Sequence, residues 1–78
     1  MNQMNKLYNI AEVRFQNEFI IISVDGILLK TKISEISQRL SIASEKDNNE
    51  FSISPSGYGI HWPKIDEDIS IDGLLSNQ

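Results

Sequence analysis

Runs of β-branched and aliphatic residues flank Asp25-Gly26 in the stretch FIIISVDGILLKT. Asp-Gly is a preferred two-residue hairpin turn, because both central positions need positive φ. Such a turn sets Val24 against Ile27, Ile22 against Leu29 and Ile20 against Thr31. Side chains alternate with period two along a strand, so Ile20, Ile22, Val24, Ile27 and Leu29 share one face. A second tight turn at Asn17-Glu18 sets Phe15 against Ile20, Val13 against Ile22 and Ala11 against Val24. Those residues fall on the same face. Two independent turns thus agree on one apolar surface, which predicts a three-strand antiparallel meander. The reverse face carries Glu12, Arg14, Gln16, Ser23, Lys30 and Lys32, with Phe19, Ile21 and Leu28 among them. That mixture suits partial cover or an interaction surface. Upstream, Tyr8 and Ile10 have the opposite parity to Val13 and Phe15. Either the first strand starts near Ala11, or a bulge shifts its phase.

The period then changes. In KISEISQRLSIASEKDNNE, Ile36, Leu40 and Ala43 recur at i, i+4 and i+7, which predicts one helix lying on the sheet. Ser34 and Ser37 are both candidate N-caps, Lys46 suits the helix C-terminus, and Asp47-Asn48-Asn49 reads as the exit loop. A second hairpin follows, with Phe51, Ile53, Ile60 and Trp62 alternating about a turn through Pro55, Ser56, Gly57 and Gly59. Pro63 has no amide to donate and is expected to end the last strand. Ser70 is placed to cap a short closing turn that carries Leu74 and Leu75. The expected fold is therefore α+β: a small single domain over residues 1–78, with 1–7 frayed. It comprises the meander, a second β-hairpin, one helix packed on the sheet and a short C-terminal helical turn.

Composition narrows the classes of function. The chain of 78 residues has no cysteine, so thiolate metal sites, thiol nucleophiles and disulfides are excluded. No run approaches the length of a signal-peptide core or a membrane span, which makes the cytoplasm the expected location. Net charge is −4, and the seven basic residues are scattered apart from Lys30 and Lys32. A nucleic-acid binder concentrates positive charge on one face, so no direct nucleic-acid contact is expected. Mild acidity instead suits a basic protein partner.

The richest stretch is GYGIHWPKIDEDISIDGLL, Gly57 to Leu75, which holds the single histidine and the single tryptophan. It resembles the C-terminal signature of a small bacterial family catalogued as domain of unknown function 2442. Gly57, Gly59, Ile60, Trp62, Pro63, Asp66, Glu67, Asp68, Ser70, Gly73, Leu74 and Leu75 fit that pattern, as do VDGILL, Arg39-Leu40 and Ala43. The resemblance covers most of the chain from about Val13. It departs at Gln38, where the family commonly has proline, a first helical residue that favours Ser37 as the cap. It departs again near Asp47, where the family often has an arginine. The resemblance implies a small α+β fold, no established enzymatic activity and, for many members, a place beside a toxin-like partner protein. Some members add a helix-turn-helix domain, and its DNA-reading role is not carried over to this chain.

The chemistry of the segment is thin when its ligands are counted. Alternation places His61 on the face opposite Ile60 and Trp62, as a partly exposed strand residue near Asp66 or Glu67. A zinc site would have to complete itself from carboxylates alone, and no metal or cofactor is expected. Asp68 to Gly73 matches the first half of a calcium loop, but Pro63 five residues earlier rules out its incoming helix, and the glutamate of position twelve would fall one residue past Gln78. One histidine with no oriented acid pair gives no hydrolase triad. Trp62 is expected as a core anchor whose indole N–H bonds to Asp66 or Asp68. Asp25, Gly26, Gly57, Gly59, Pro63 and Gly73 are assigned to architecture. The expectation is a non-catalytic interaction module, antitoxin-like by resemblance, meeting its partner through Tyr58, His61, Asp66, Glu67, Asp68 and Asp72. One alternative is an acidic inhibitor that occupies the basic groove of a nucleic-acid-handling protein. Another is a metal-binding or enzymatic protein centred on His61. Oligomeric state is not encoded.

Overall fold

A computed structural model describes residues 8–76; the expected fraying of residues 1–7 lies outside them. The first sheet is the meander, in the order β1 (Ile10–Gln16), β2 (Phe19–Val24) and β3 (Ile27–Lys32). Its register pairs Val24 with Ile27, Ile22 with Leu29 and Phe15 with Ile20, as the two turns require. Asp25 and Gly26 take φ of 51° and 82°, and Asn17 takes 56°. The first strand does not run straight back to pair Ala11 with Val24. Ile10 pairs with Val24 and Glu12 with Ser23, so Ala11 is an extra residue and the strand bulges there. The bulge reconciles the two parities and lets Ile10 reach the core as Val13 and Phe15 do.

The single expected helix is replaced by three short ones, α1 (Ile33–Ile36), α2 (Gln38–Ile42) and α3 (Glu45–Asn48). The break falls at Ser37, which is extended at φ −160° and ψ 114°. Its hydroxyl accepts from the Leu40 amide at 3.1 Å and donates to the Glu67 carboxylate. A cap bond stabilises a helix start by about 1 kcal/mol. Here it is joined by a charge-assisted bond to another element, and together they outweigh one continuous helical turn. Ser44 caps α3 in the same way through the Asp47 amide. Asp47 and Asn48 therefore belong to a helix, and only Asn49 of the expected exit loop lies beyond it.

The second hairpin gains a strand. β4 (Ser52–Ile53), β5 (Gly59–Trp62) and β6 (Glu67–Ser70) form a second antiparallel sheet in that order. Pro63 ends β5, but it does so as the first residue of a four-residue turn into β6 rather than after the last strand. Ser70 caps α4 (Ile71–Ser76), accepting from the Gly73 amide at 2.9 Å. Ile20, Ile22, Val24 and Leu29 of the first sheet share one core with Ile60, Trp62 and Ile69 of the second. Ile33, Leu40, Ile71 and Leu74 close it from the helices. Each such side chain contributes roughly 1.5–3 kcal/mol of transfer free energy, which is what holds two small sheets together.

Candidate functional site

Ile60 and Trp62 point into the core, so His61 between them points out. Register places Ser52 on one side of it and Asp68 on the other, three residues in a row across β4, β5 and β6. His61 Nδ1 lies 2.7 Å from Asp68 Oδ1, with the two side chains 44% and 75% exposed. The pairing partner is thus Asp68, not Asp66 or Glu67. Tyr58, 53% exposed in the β4–β5 turn, borders the same shallow concavity of about 620 Å³. Acid, imidazole and hydroxyl stand in the order of a hydrolytic triad. No hydrogen bond joins Ser52 to His61 among the described residues, and the nearby Gly59 amide is committed to Ser54 Oγ at 3.1 Å. As it stands, the row orients an imidazole on an acidic surface.

The other expected contact residues separate into two groups. Asp66 sits in the β5–β6 turn at φ 53°, a conformation that aspartate tolerates better than most residues. Arg39 Nη1 donates to its carbonyl at 2.7 Å and stands 4.0 Å from its carboxylate, which remains 93% exposed. Asp66 and Asp68 therefore project outward from one hairpin. Glu67 does not: pairing with Trp62 puts it on the inner side, where it accepts from Ser37. Asp72 is also engaged within the fold, as acceptor for the Tyr8 hydroxyl. Both acids thus take part in bonds within the fold, Glu67 half-buried and Asp72 exposed.

The Tyr8–Asp72 bond has a titration signature. Tyr8 has its pKa raised above 10.0, chiefly by donating to Asp72, then by desolvation and by the charges of Asp72 and Asp25. Only the protonated phenol makes the bond, so its stabilisation is complete below the phenol's unfolded pKa of about 10 and is lost as pH climbs through the higher folded value. Asp72→Asn is expected to return the Tyr8 titration toward its ordinary position, read by phenolate absorbance or by ring-carbon NMR.

Trp62 is fully buried, and its indole donates to the Asn48 carbonyl at 2.8 Å, not to Asp66 or Asp68. Phe15 and Phe51 pack on its ring with centroids at 6.3 and 5.9 Å. Gly59 backs against the Ile69 carbonyl on the neighbouring strand, Gly73 lies in α4, and Gly57 turns the chain beside Tyr8. Among the described residues, no group of three histidines, aspartates or glutamates converges to hold an ion. No helix among them is long and apolar enough to cross a membrane. Ser52 was not singled out from sequence, and Ser37, Arg39 and Tyr8 were noted only as a helix cap, a match to the family pattern and a strand residue, not for their bonds to Glu67, Asp66 and Asp72. For Ser52 a signal existed, since the register of the second hairpin sets it opposite His61.

No curated protein matches the chain. It is similar to a crystal structure of a protein of unknown function from Rhodospirillum rubrum ATCC 11170, at 26% identity and a TM-score of 0.73. That likeness covers 90% of this chain and 87% of the other. The family model described as "Protein of unknown function (DUF2442)" matches residues 10–78, from the bulged first strand through the closing helix. The chain belongs to the DUF2442 family.

Proposed function

We propose that this protein is a non-catalytic, cytoplasmic interaction module that binds a basic protein partner through the β5–β6 hairpin. The supporting observation is the outward projection of Asp66 and Asp68, their side chains 93% and 75% exposed, beside His61 and Tyr58. A cation-rich surface, such as that of a toxin-like or nucleic-acid-handling protein, complements this edge, and charge of this kind governs encounter and partner choice. The antitoxin-like role and the blocking of a basic groove are two versions of one contact, and competition by nucleic acid for the partner separates them.

Co-expression with the product of the neighbouring gene provides the test. Asp66→Lys with Asp68→Lys is expected to abolish co-purification, while His61→Ala weakens it little. Unchanged capture by the doubly reversed variant means the surface is wrongly assigned. A second reading, an enzymatic centre at His61, is favoured only by the row Ser52–His61–Asp68. Covalent labelling of Ser52 by a fluorophosphonate, lost in His61→Ala, would establish that reading and displace the first.

A further inference from the structure

We infer that the outer edge of β6 takes up an extended basic segment of the partner protein as an added strand. The inference rests on the reading given to the β5–β6 hairpin and states how that hairpin is gripped. β6 is an edge of the second sheet, and no described strand pairs with its outer side. The Ile71 amide donates to the Tyr58 carbonyl at 2.9 Å, in the same register as the β5–β6 pairs. Bonded and unbonded pairs alternate along an antiparallel ladder, so Ile69 and Glu67 also bond to β5, while Asp68 and Ser70 turn their backbone groups outward. The Ser70 carbonyl goes to α4, because the carbonyl of a capping residue accepts the first bond of its helix. The Asp68 amide has a 3.3 Å contact with the Glu67 carboxylate. The Asp68 carbonyl and the Ser70 amide have no partner among the described residues. One extended residue alongside Ile69 can donate to the first and accept from the second, the pattern of a parallel ladder.

Beside this edge lies a concavity of about 230 Å³, lined by β6, by Leu74 of α4 and by Glu35 and Ile36 of α1. That is small for a ligand pocket and suits a short run of backbone. Half-buried Ile36 offers apolar surface to alternate side chains of such a strand. Charge names the occupant. Glu35 is exposed and has no ion pair among the described residues, and Asp66 and Asp68 are 93% and 75% exposed. Pairing two copies through β6 would bring these acids together, whereas lysine or arginine complements them. Main-chain bonds then supply the grip and the acids supply the selection.

Backbone NMR tests the geometry directly. The probe is a capped eight-residue peptide alternating lysine and valine. One control replaces its lysines by glutamate, and the other is N-methylated at every valine. The basic peptide is expected to bind saturably and to slow hydrogen exchange of the Ser70 amide about tenfold, leaving Ile69 and Ile71, already bonded to β5, little changed. The glutamate peptide should not bind, and N-methylation should abolish the protection. Glu35→Gln, outside the hairpin, should weaken the basic peptide severalfold. Binding that leaves Ser70 unprotected, or that survives N-methylation, overturns strand addition and leaves the acidic contact of the hairpin standing. Absence of binding, or equal binding of the glutamate peptide, overturns it too. Protection of Ser70 that rises with protein concentration alone assigns the edge to a second copy and overturns the basic occupant. Failure of the hairpin reading is seen separately, as co-purification that persists when Asp66→Lys is combined with Asp68→Lys.

Discussion

Trp62→Ala is expected to unfold the domain. The side chain is fully buried, with Phe15 and Phe51 against its ring and a 2.8 Å bond from its indole to the Asn48 carbonyl. Truncating a buried tryptophan costs about 3–5 kcal/mol through lost transfer energy and the cavity left behind. The stranded carbonyl adds about 1 kcal/mol more. A chain of 78 residues without cysteines, and so without disulfides, has only about 3–5 kcal/mol of net stability to lose. Trp62→Phe keeps an aromatic ring against both phenylalanines and loses the N–H donor, so it should remain folded with a lowered melting point. Circular dichroism melts of both variants are the measurement. A cooperative Trp62→Ala transition within about 5 °C of the parent would place this ring outside the essential core.

Gly57→Ala is the second large effect, and Gly26→Ala is its control. Both glycines have positive φ, 73° and 82°, so alanine costs about 1 kcal/mol at either from backbone conformation alone. At Gly26 nothing lies within 4 Å of the added methyl. At Gly57 the methyl would fall 1.8 Å from the Tyr8 carbonyl oxygen, which is backbone and cannot rotate away. The segment leading into β1 would have to lift, straining the Tyr8 amide bond to the Ser56 carbonyl and the Tyr8–Asp72 contact. A loss of about 3 kcal/mol is expected at Gly57 against about 1 kcal/mol at Gly26. Urea midpoints give the difference directly, and equal losses would contradict the close approach of Tyr8.

The meander was legible because its information is local. Asp25-Gly26 fixes one register and Asn17 the next, and the pairing follows both, although Ile21 on the reverse face is buried and Ile27 on the apolar face is exposed. The parity conflict at Tyr8 and Ile10 pointed to the bulge without settling it. The helical run misled because Ile36, Leu40 and Ala43 carry a helix period across a chain that is broken at Ser37. What breaks it is a bond to Glu67, thirty residues away. β6 escaped notice because Glu67 and Asp68 are poor strand formers that pair only once Pro63 to Asp66 has turned the chain back along β5. The acceptor for Trp62 is a backbone carbonyl, which no residue type announces. Of six expected contact residues, His61, Asp66 and Asp68 lie exposed or half-exposed on the β5–β6 hairpin, and Tyr58 is exposed in the β4–β5 turn. Glu67 and Asp72 are acids in the same run as Asp66 and Asp68; only the structure shows that Glu67 faces inward onto Ser37 and that Asp72, though exposed, accepts from the Tyr8 hydroxyl.

The bulge at Ala11 bears on how this protein can be approached. β1 and β3 are the open edges of the first sheet, and an edge strand presents free amides and carbonyls that can template an added strand. With one extra residue in β1, an incoming strand that matches the ladder beyond Glu12 falls out of step at Ile10. At the other edge, β3 ends on Lys30 and Lys32, whose charges discourage apolar strands. β4, an edge of the second sheet, is two residues long. Strand addition at these three edges is therefore disfavoured, for copies of the chain as for other strands, and β6 is the fourth edge. A partner meeting the first three must be gripped by side chains on a face or in a hollow, and its specificity will reside in individual residues that can be exchanged one at a time.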